Sequence, residues 1–547
     1  MTKRFCLAAL ALCAMLSAQQ PSPAVPPDGA QFKIAGTLVD AVSGAPLSHA
    51  MLTLAPVMKR DDTRTVVTSD GGQFLFENLD KGKYALSAQR RGYISQAFNQ
   101  HDQYSTSIAV GPDLDSTSLV FNLRPESSIL GTIIDNYGEP VANAQVRLFR
   151  ISVPGGRRGV GLQRRLVTND EGLYRFSHLP PGDYYLVVSA RPWYVEDNHI
   201  RTNIQSKVVQ PVQEDDPALD MAYPITFFPG VTEWNAARVI PLGVSGSFTA
   251  DIILQPVRSA HVHVKSRDLD PSRGLTATLT QTVAGDMAMD ISPIISFSAK
   301  NEIELTGFAP GNYKLGLSIT NSSEPGQKVL NRFSRLLDAS ANPEVSVEQS
   351  VTAVSVTGSV KLESGSLPAR GALQLRERYT GVAVFATISP QGEFEFSQGV
   401  LPGTYDLVVT NLPDLFVRSI AAVEAKVIGQ TVGIGSSPVK LTITLTQGTG
   451  KIDGVTLREG KPVSGAMILL VPQDPSGNFT LFRREQSDSD GSFTLASVLP
   501  GKYTALALEN GWEMEWSNPE VLKPFLPGGE AIQVEAKGNY VLKLKVQ

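Results

Sequence analysis

Apolar residues recur at every second position through short runs, and turn-forming Gly, Pro, Asp and Asn separate the runs. Tyr184-Tyr185-Leu186-Val187-Val188 and Tyr405-Asp406-Leu407-Val408-Val409 are two such runs. Alternation of this kind marks a strand with one buried face. Helical spacing is nearly absent over any useful length, so the pattern predicts an all-β chain. One arrangement of turn and strand returns along the sequence. Its first copy has Asp70-Gly71-Gly72, Phe74, Phe76, Leu79, Gly82 and Tyr84, and its second has Asp170-Glu171-Gly172, Tyr174, Phe176, Leu179, Pro181-Gly182 and Tyr184. A weaker third has Ile303, Leu305, Phe308, Pro310-Gly311 and Tyr313. The fourth has Gly392, Phe394, Phe396, Leu401, Pro402-Gly403 and Tyr405, and the fifth Asp490-Gly491, Phe493, Leu495, Leu499, Pro500-Gly501 and Tyr503. Asp-Gly and Pro-Gly each set a turn, because Gly accepts positive φ and Pro fixes its own. Two strands joined this way cannot cover their apolar face, so a second sheet is required.

A short apolar strand ending in Gly precedes each copy except the third, at Gly36, Gly131, Gly358 and Gly454. From that Gly to the Gly of the second turn are 46, 51, 45 and 47 residues. In the third copy Val264 takes the place, 47 residues before Gly311. Between the two markers lie Pro46-Leu47-Ser48-His49-Ala50, Pro140-Val141-Ala142-Asn143-Ala144 and Pro462-Val463-Ser464-Gly465-Ala466, each introducing a further strand. Constant spacing with changing sequence predicts one fold repeated. The expected organisation is a tandem array of five β-sandwich modules of about seven strands each. They span residues 31–123, 124–256 (with an insertion around Tyr223 to Val231), 257–349 (divergent), 350–447 and 448–547.

These markers resemble the carboxypeptidase regulatory-like module, an immunoglobulin-like or transthyretin-like sandwich among the carbohydrate-binding-like folds. The resemblance is best from Gly131 to Tyr184 and from Gly454 to Tyr503, and weakest in the third copy, where Lys300-Asn301-Glu302 replaces the Asp-Gly turn. It implies a module that is itself non-catalytic, that follows the catalytic domain in metallocarboxypeptidases, and that occurs in tandem in exported bacterial proteins.

The first eighteen residues have a signal-peptide pattern: Lys3 and Arg4, an apolar stretch from Phe5 to Leu16, then Ser17-Ala18. Residues 19–30 form a Pro-rich linker. The expected destination is the periplasm, cell surface or exterior. Cys6 and Cys13 both lie in the leader, so a processed chain would have no disulfide and no cysteine chemistry. The net charge of −5 becomes −7 without Lys3 and Arg4. No basic stripe is available for phosphates, which argues against nucleic-acid binding. The processed part has no eighteen-residue apolar stretch, so no membrane-spanning segment is expected there.

Catalytic patterns are missing: neither His-Glu-x-x-His nor Gly-x-Ser-x-Gly occurs, and the six histidines scatter. No catalytic, cofactor or metal residues are therefore assigned, and no enzyme activity is expected. His261-Val262-His263 share a strand face about 7 Å apart, near enough for one ion, but two further ligands cannot be placed. Asp488-Ser489-Asp490-Gly491 resembles part of a calcium loop, but apolar Phe493 interrupts the ligand spacing and the repeated turn explains it. Tyr93, Trp193 and Trp512 hold one equivalent position, which points to rings packing over a sandwich edge, with a protein interface or sugar contact as the alternatives. Trp512 and Trp516 are the candidates for stacking a sugar, Trp516 the better because Glu513, Glu515, Ser517 and Asn518 surround it. The readings are therefore a non-catalytic exported structural or binding protein, a carbohydrate-binding protein, or an accessory of an envelope peptidase or receptor. The partner would be an envelope protein or a glycan.

Overall fold

The computed structural model describes residues 31–58, 61–195, 219–266, 269, 274–284, 287–299, 301–320, 329–341, 344–346, 351–363, 365–367, 371–377, 383–397, 399–412, 415–475 and 481–547. The leader, both cysteines and the Pro-rich linker lie outside them. Among the described residues strands dominate, and helix is limited to short turns.

The chain runs through successive two-sheet units that share one topology. In the first, Phe32–Asp40 lies between antiparallel Gln73–Leu79 and parallel Leu119–Leu123. The same strand neighbours recur for Ser127–Ile134, with Leu173–Leu179 antiparallel and Ser247–Thr249 and Ile252–Ile253 parallel. Val262–Lys265 pairs with Glu302–Thr306 and Glu344–Ser346 in the same senses. Val356–Leu362 does so with Glu393–Glu395 and Val439–Gln447, and Gly450–Arg458 with Ser492–Val498 and Asn539–Lys545. The facing sheet of each unit is built on one antiparallel pair: Met51–Pro56 with Gly82–Gln89, Gln145–Ser152 with Gly182–Ser189, Gly274–Ala284 with Asn312–Thr320, Gly371–Glu377 with Gly403–Thr410, and Met467–Pro472 with Gly501–Leu508. A parallel first and last strand requires the chain to cross to the other sheet and return. The alternating residues fill the space between: Ile34, Leu52, Phe76, Tyr84 and Phe121 belong to one apolar cluster, Ile452, Ile468, Phe493, Tyr503 and Val534 to another. Each such large side chain contributes about 1.5–3 kcal/mol on burial.

The recurrent residues have local physical causes. Tyr84, Tyr184, Tyr313, Tyr405 and Tyr503 each donate their hydroxyl to the carbonyl four residues back, tying the strand to the turn before it. Thr68, Thr168 and Ser487 are buried hydroxyls that accept from the amide of Ala50, Ala144 or Ala466 and donate to Leu47, Val141 or Val463. The residue before each of those alanines has positive φ: His49 at 55°, Asn143 at 58° and Gly465 at 77°. His49 is thus a turn residue. The starting glycines face an aromatic ring across the antiparallel pair: Gly36 with Phe74, Gly131 with Tyr174, Gly358 with Phe394 and Gly454 with Phe493. A Cβ on Gly358 would lie 1.9 Å from the Leu441 carbonyl oxygen of the parallel strand. In the third unit Val264 faces Ile303 instead.

Two segments thicken the sandwiches. In the second unit, Thr226–Phe227 adds to the edge of Gly182–Ser189. Ile225 and Phe227 pack with Phe149, Val187 and the third unit's Met289, joining the two units. In the fifth, Asn518 caps the short helix Pro519–Leu522 by accepting from the Glu520 amide. That helix lies over the outer face of Met467–Pro472, where Met467, Leu469, Val471, Leu506 and Leu522 form a second cluster with Trp516. This is why Met467-Ile468-Leu469-Leu470-Val471 reads apolar without alternation: both faces are covered.

Candidate interaction site

The outer layer of the fifth unit leads to a polar constellation that joins the first and fifth units. The strand Arg483–Gln486 and the turn after it meet residues 97–109 of the first unit. Gln486 is only 1% exposed. Its Nε2 donates to the Asn99 carbonyl at 2.7 Å and to Thr106 Oγ1 at 2.8 Å, while its Oε1 lies 3.1 Å from His101 Nδ1. Asp488 accepts from Lys83 Nζ at 2.6 Å and from the Ser107 amide at 2.9 Å. The Ser489 amide donates to the Ser107 carbonyl at 2.9 Å, and Ser489 Oγ accepts from the Ala109 amide at 2.8 Å. The turn thus adds to the chain beside Ile108–Val110 as a further short strand would.

Aromatic rings and an arginine close the same joint. Trp512 stacks on His101 at 4.8 Å between centroids with 6° between planes, and Tyr104 lies 5.7 Å away. The Arg484 guanidinium lies over Tyr104 at 5.2 Å and over Trp516 at 4.4 Å, so a ring from each unit holds it. Its charge also meets Asp102 at 3.6 Å. Trp516 is 6% exposed and packs edge-on against Phe482 at 5.7 Å. The second unit covers it as well: Ser517 donates its amide to the Gly156 carbonyl at 3.1 Å, and a Cβ on Gly156 would come 2.6 Å from the Trp516 ring. The two tryptophans singled out in the sequence are therefore brought together, but packed against protein. Trp516 lies in the turn between Gly511–Glu513 and Pro519–Leu522, among the polar neighbours the sequence shows, but Leu522 and Phe482 draw its ring inward.

The other two rings of the equivalent position differ. Tyr93 donates to Asp40 at 2.8 Å, beneath Arg90, whereas Trp193 is 71% exposed beside Tyr194. Trp234 packs on Tyr185 at 4.1 Å within the insertion of the second unit.

The histidine pair occupies a second charged cluster. His261 lies 2.7 Å from Glu304 through Nδ1 and 2.9 Å from Asp220 through Nε2. These hydrogen bonds, that to Glu304 foremost, raise its pKa to about 9, while burial acts against them. The same bond holds Glu304 below the usual carboxylate range. His263 sits 3.2 Å from Glu302. Among the described residues no group of three His, Cys, Asp or Glu side chains is arranged to hold a metal ion. Asp490 of the calcium-like tract accepts from the Ser492 amide at 3.0 Å, a local turn bond. An open groove of about 540 Å³ on the second unit is lined by Leu130, Thr132, Leu173, Tyr174 and Arg175. No helix among the described residues is long and apolar enough to cross a membrane.

Sequence reasoning named Asp488 only within the calcium-like tract and did not single out Gln486, Arg484, His101 or Tyr104 as a site. One signal was present: the fifth turn carries Asp488 and Asp490, where the first two carry a single Asp.

No curated protein matches the chain in sequence. Among solved structures, the Bacillus anthracis TIE protein is 9% identical, with 96% of this chain and 75% of that one covered and a TM-score of 0.17. The streptococcal ancillary pilin is 12% identical over 58% of this chain and 98% of its own, with a TM-score of 0.19. BcpA, the major pilin subunit of Bacillus cereus, is 8% identical over 94% and 99%, with a TM-score of 0.14. At such scores these likenesses carry no argument about this chain. The first two units do carry a recognisable family pattern: residues 33–123 and 128–207 match the carboxypeptidase regulatory-like domain.

Proposed function

We propose that this chain is a non-catalytic, exported, multi-module protein that works through its surfaces, as a structural or binding component of the cell envelope. Five modules with the boundaries 31–123, 124–256, 257–349, 350–447 and 448–547 are part of that reading. The observation that carries it is the joint between the first and fifth units. This side-chain constellation connects one module to another, and its Gln486, Asp488 and Ser489 are engaged with protein partners at 2.6–3.1 Å. The family pattern in the first two units supports the same reading. The test is to assay the purified processed chain on peptides, esters and glycosides. Turnover of any of them, abolished by one point substitution, would overturn the proposal.

Carbohydrate binding is the second reading, and the Trp512–Trp516 pair is the observation that favours it. A sugar would have to displace His101 or Arg484 from those rings. Glycan arrays probed with wild type and Trp516→Ala chains decide this: binding lost in the variant supports it, and no binding to any glycan at millimolar concentration removes it. An accessory role beside an envelope peptidase or receptor is tested by co-purification from the native envelope.

A further inference from the structure

The repeats supply an internal control for the joint. Gln486 lies opposite Met467, just as Val67 lies opposite Met51 and Val167 opposite Gln145. At this position the two valines are 62% and 58% exposed, whereas Gln486 is 1% exposed. Two residues on, Ser69, Asn169 and Ser389 close their own turns by accepting from the amides of Gln73, Leu173 and Glu393. Asp488 holds the same place in the fifth unit, but its carboxylate turns outward to Lys83 and the Ser107 amide. The local role passes to Asp490, which accepts from the Ser492 amide. The fifth unit therefore differs from its siblings where it docks. The receiving loop is prepared for it: Gln100 accepts from the Ala97 amide at 2.8 Å and donates to the Asp102 carbonyl at 2.8 Å. A preorganised loop loses less freedom on docking.

Neither side depends on the other for its core. The clusters around Phe121 and around Phe493 each contain residues of one unit alone, as does the outer layer around Trp516. Separation would thus expose polar groups and rings without opening a sandwich. The joint also leans on charge, through Lys83–Asp488 and Arg484–Asp102. Screening shortens the reach of such pairs from about 10 Å at 0.1 M salt to about 3 Å at 1 M.

We propose that this joint is an exchangeable docking surface whose alternative partner is a second copy of this chain: the fifth unit of one molecule docks on the first unit of another. The surface complementary to each face, including the Gly156 carbonyl of the second unit that receives Ser517, is already present in every copy, and the units beyond it supply the tether. Closure within one chain dominates in dilute solution, because a tether gives an effective concentration on the order of millimolar. Exchange between chains sets in as protein concentration approaches that value. This deepens the interaction reading, and its failure would leave the non-catalytic assignment standing.

The test uses the full processed chain. Concentrated protein is held at about 1 M sodium chloride, returned to low salt, and resolved by size-exclusion chromatography with light scattering. A discrete dimer that converts to monomer on dilution into high salt is expected. The double variant Gln486→Ala, Asp488→Ala should lower the dimer fraction by roughly tenfold or more and scatter X-rays as a more extended monomer. Its thermal transitions should persist, which separates lost docking from lost folding. Asn169→Ala, the same turn position in the second unit, should leave the dimer fraction unchanged. Wild type that stays monomeric under every condition overturns the proposal, and so does a double variant that dimerises as well as wild type.

Discussion

The third unit and its four neighbours solve one crossing in two ways. In the first, second, fourth and fifth units a glycine faces an aromatic residue across the antiparallel pair, and in the last three of these that side chain would lie within 3 Å of an added Cβ. In the third, Val264 faces Ile303, and both are fully buried. What is held constant is the pair, a small residue with a large one or two of middle size. Close packing of the interior demands this, since added or missing volume is felt at once. The missing Gly in the third sequence repeat is therefore matched by a change on the partner strand, and the strand order is retained.

The largest test of this contrast is Gly358→Ala. Its Cβ would meet the Leu441 carbonyl oxygen, a backbone atom that cannot turn aside. The fourth unit should lose about 3 kcal/mol, seen as an earlier thermal transition by calorimetry. Val264→Gly in the third unit should cost about 2 kcal/mol, from lost burial and added backbone freedom. A third unit that tolerates glycine without loss would show that Ile303 does not need a filled partner. In the fifth unit, a Cβ on Gly454 would lie 2.4 Å from the Phe493 ring. Phe493→Ile should therefore cost less in a Gly454→Ala background than in wild type, with a coupling of about 1 kcal/mol in a double-mutant cycle.

The smallest effect concerns pH and belongs to the third unit, where His261 lies. Its pKa rises from 6.5 to about 9, so its pairs with Glu304 and Asp220 contribute fully below about pH 6.5. That contribution is lost as pH rises through about 9. Glu304, held low, gives a contribution that is lost in acid, as pH falls through its folded value. The transition of this unit should fall in temperature between neutral and alkaline pH, and His261→Gln should flatten the profile.

Much of this architecture was legible in local sequence. Phe74, Phe76 and Leu79 alternate with exposed neighbours and are buried in the structure. The recurrent Tyr located its turn even in the divergent third copy, because its hydroxyl bond spans only four residues. The joint was not legible in that way. Gln486 and His101 are 385 residues apart, and no periodic pattern connects them. Trp516 read as a ring for sugar contact because its neighbours are polar. Its burial follows from Leu522 and Phe482, which the packed layer brings together with it. The unbroken apolar run from Met467 to Val471 was the one local sign that a second layer lies over that strand.

The joint also decides how the molecule carries tension. Pulled through its first and fifth units, the closed chain would transmit force across Ser107, Ser489 and Gln486 and through the Ser517–Gly156 bond to the second unit, bypassing the stretch between. Once those hydrogen bonds part, that stretch becomes a reserve of length paid out in one step, before any sandwich has to unfold. A joint that parts first would spare the cores, and it would re-form when the pull is released.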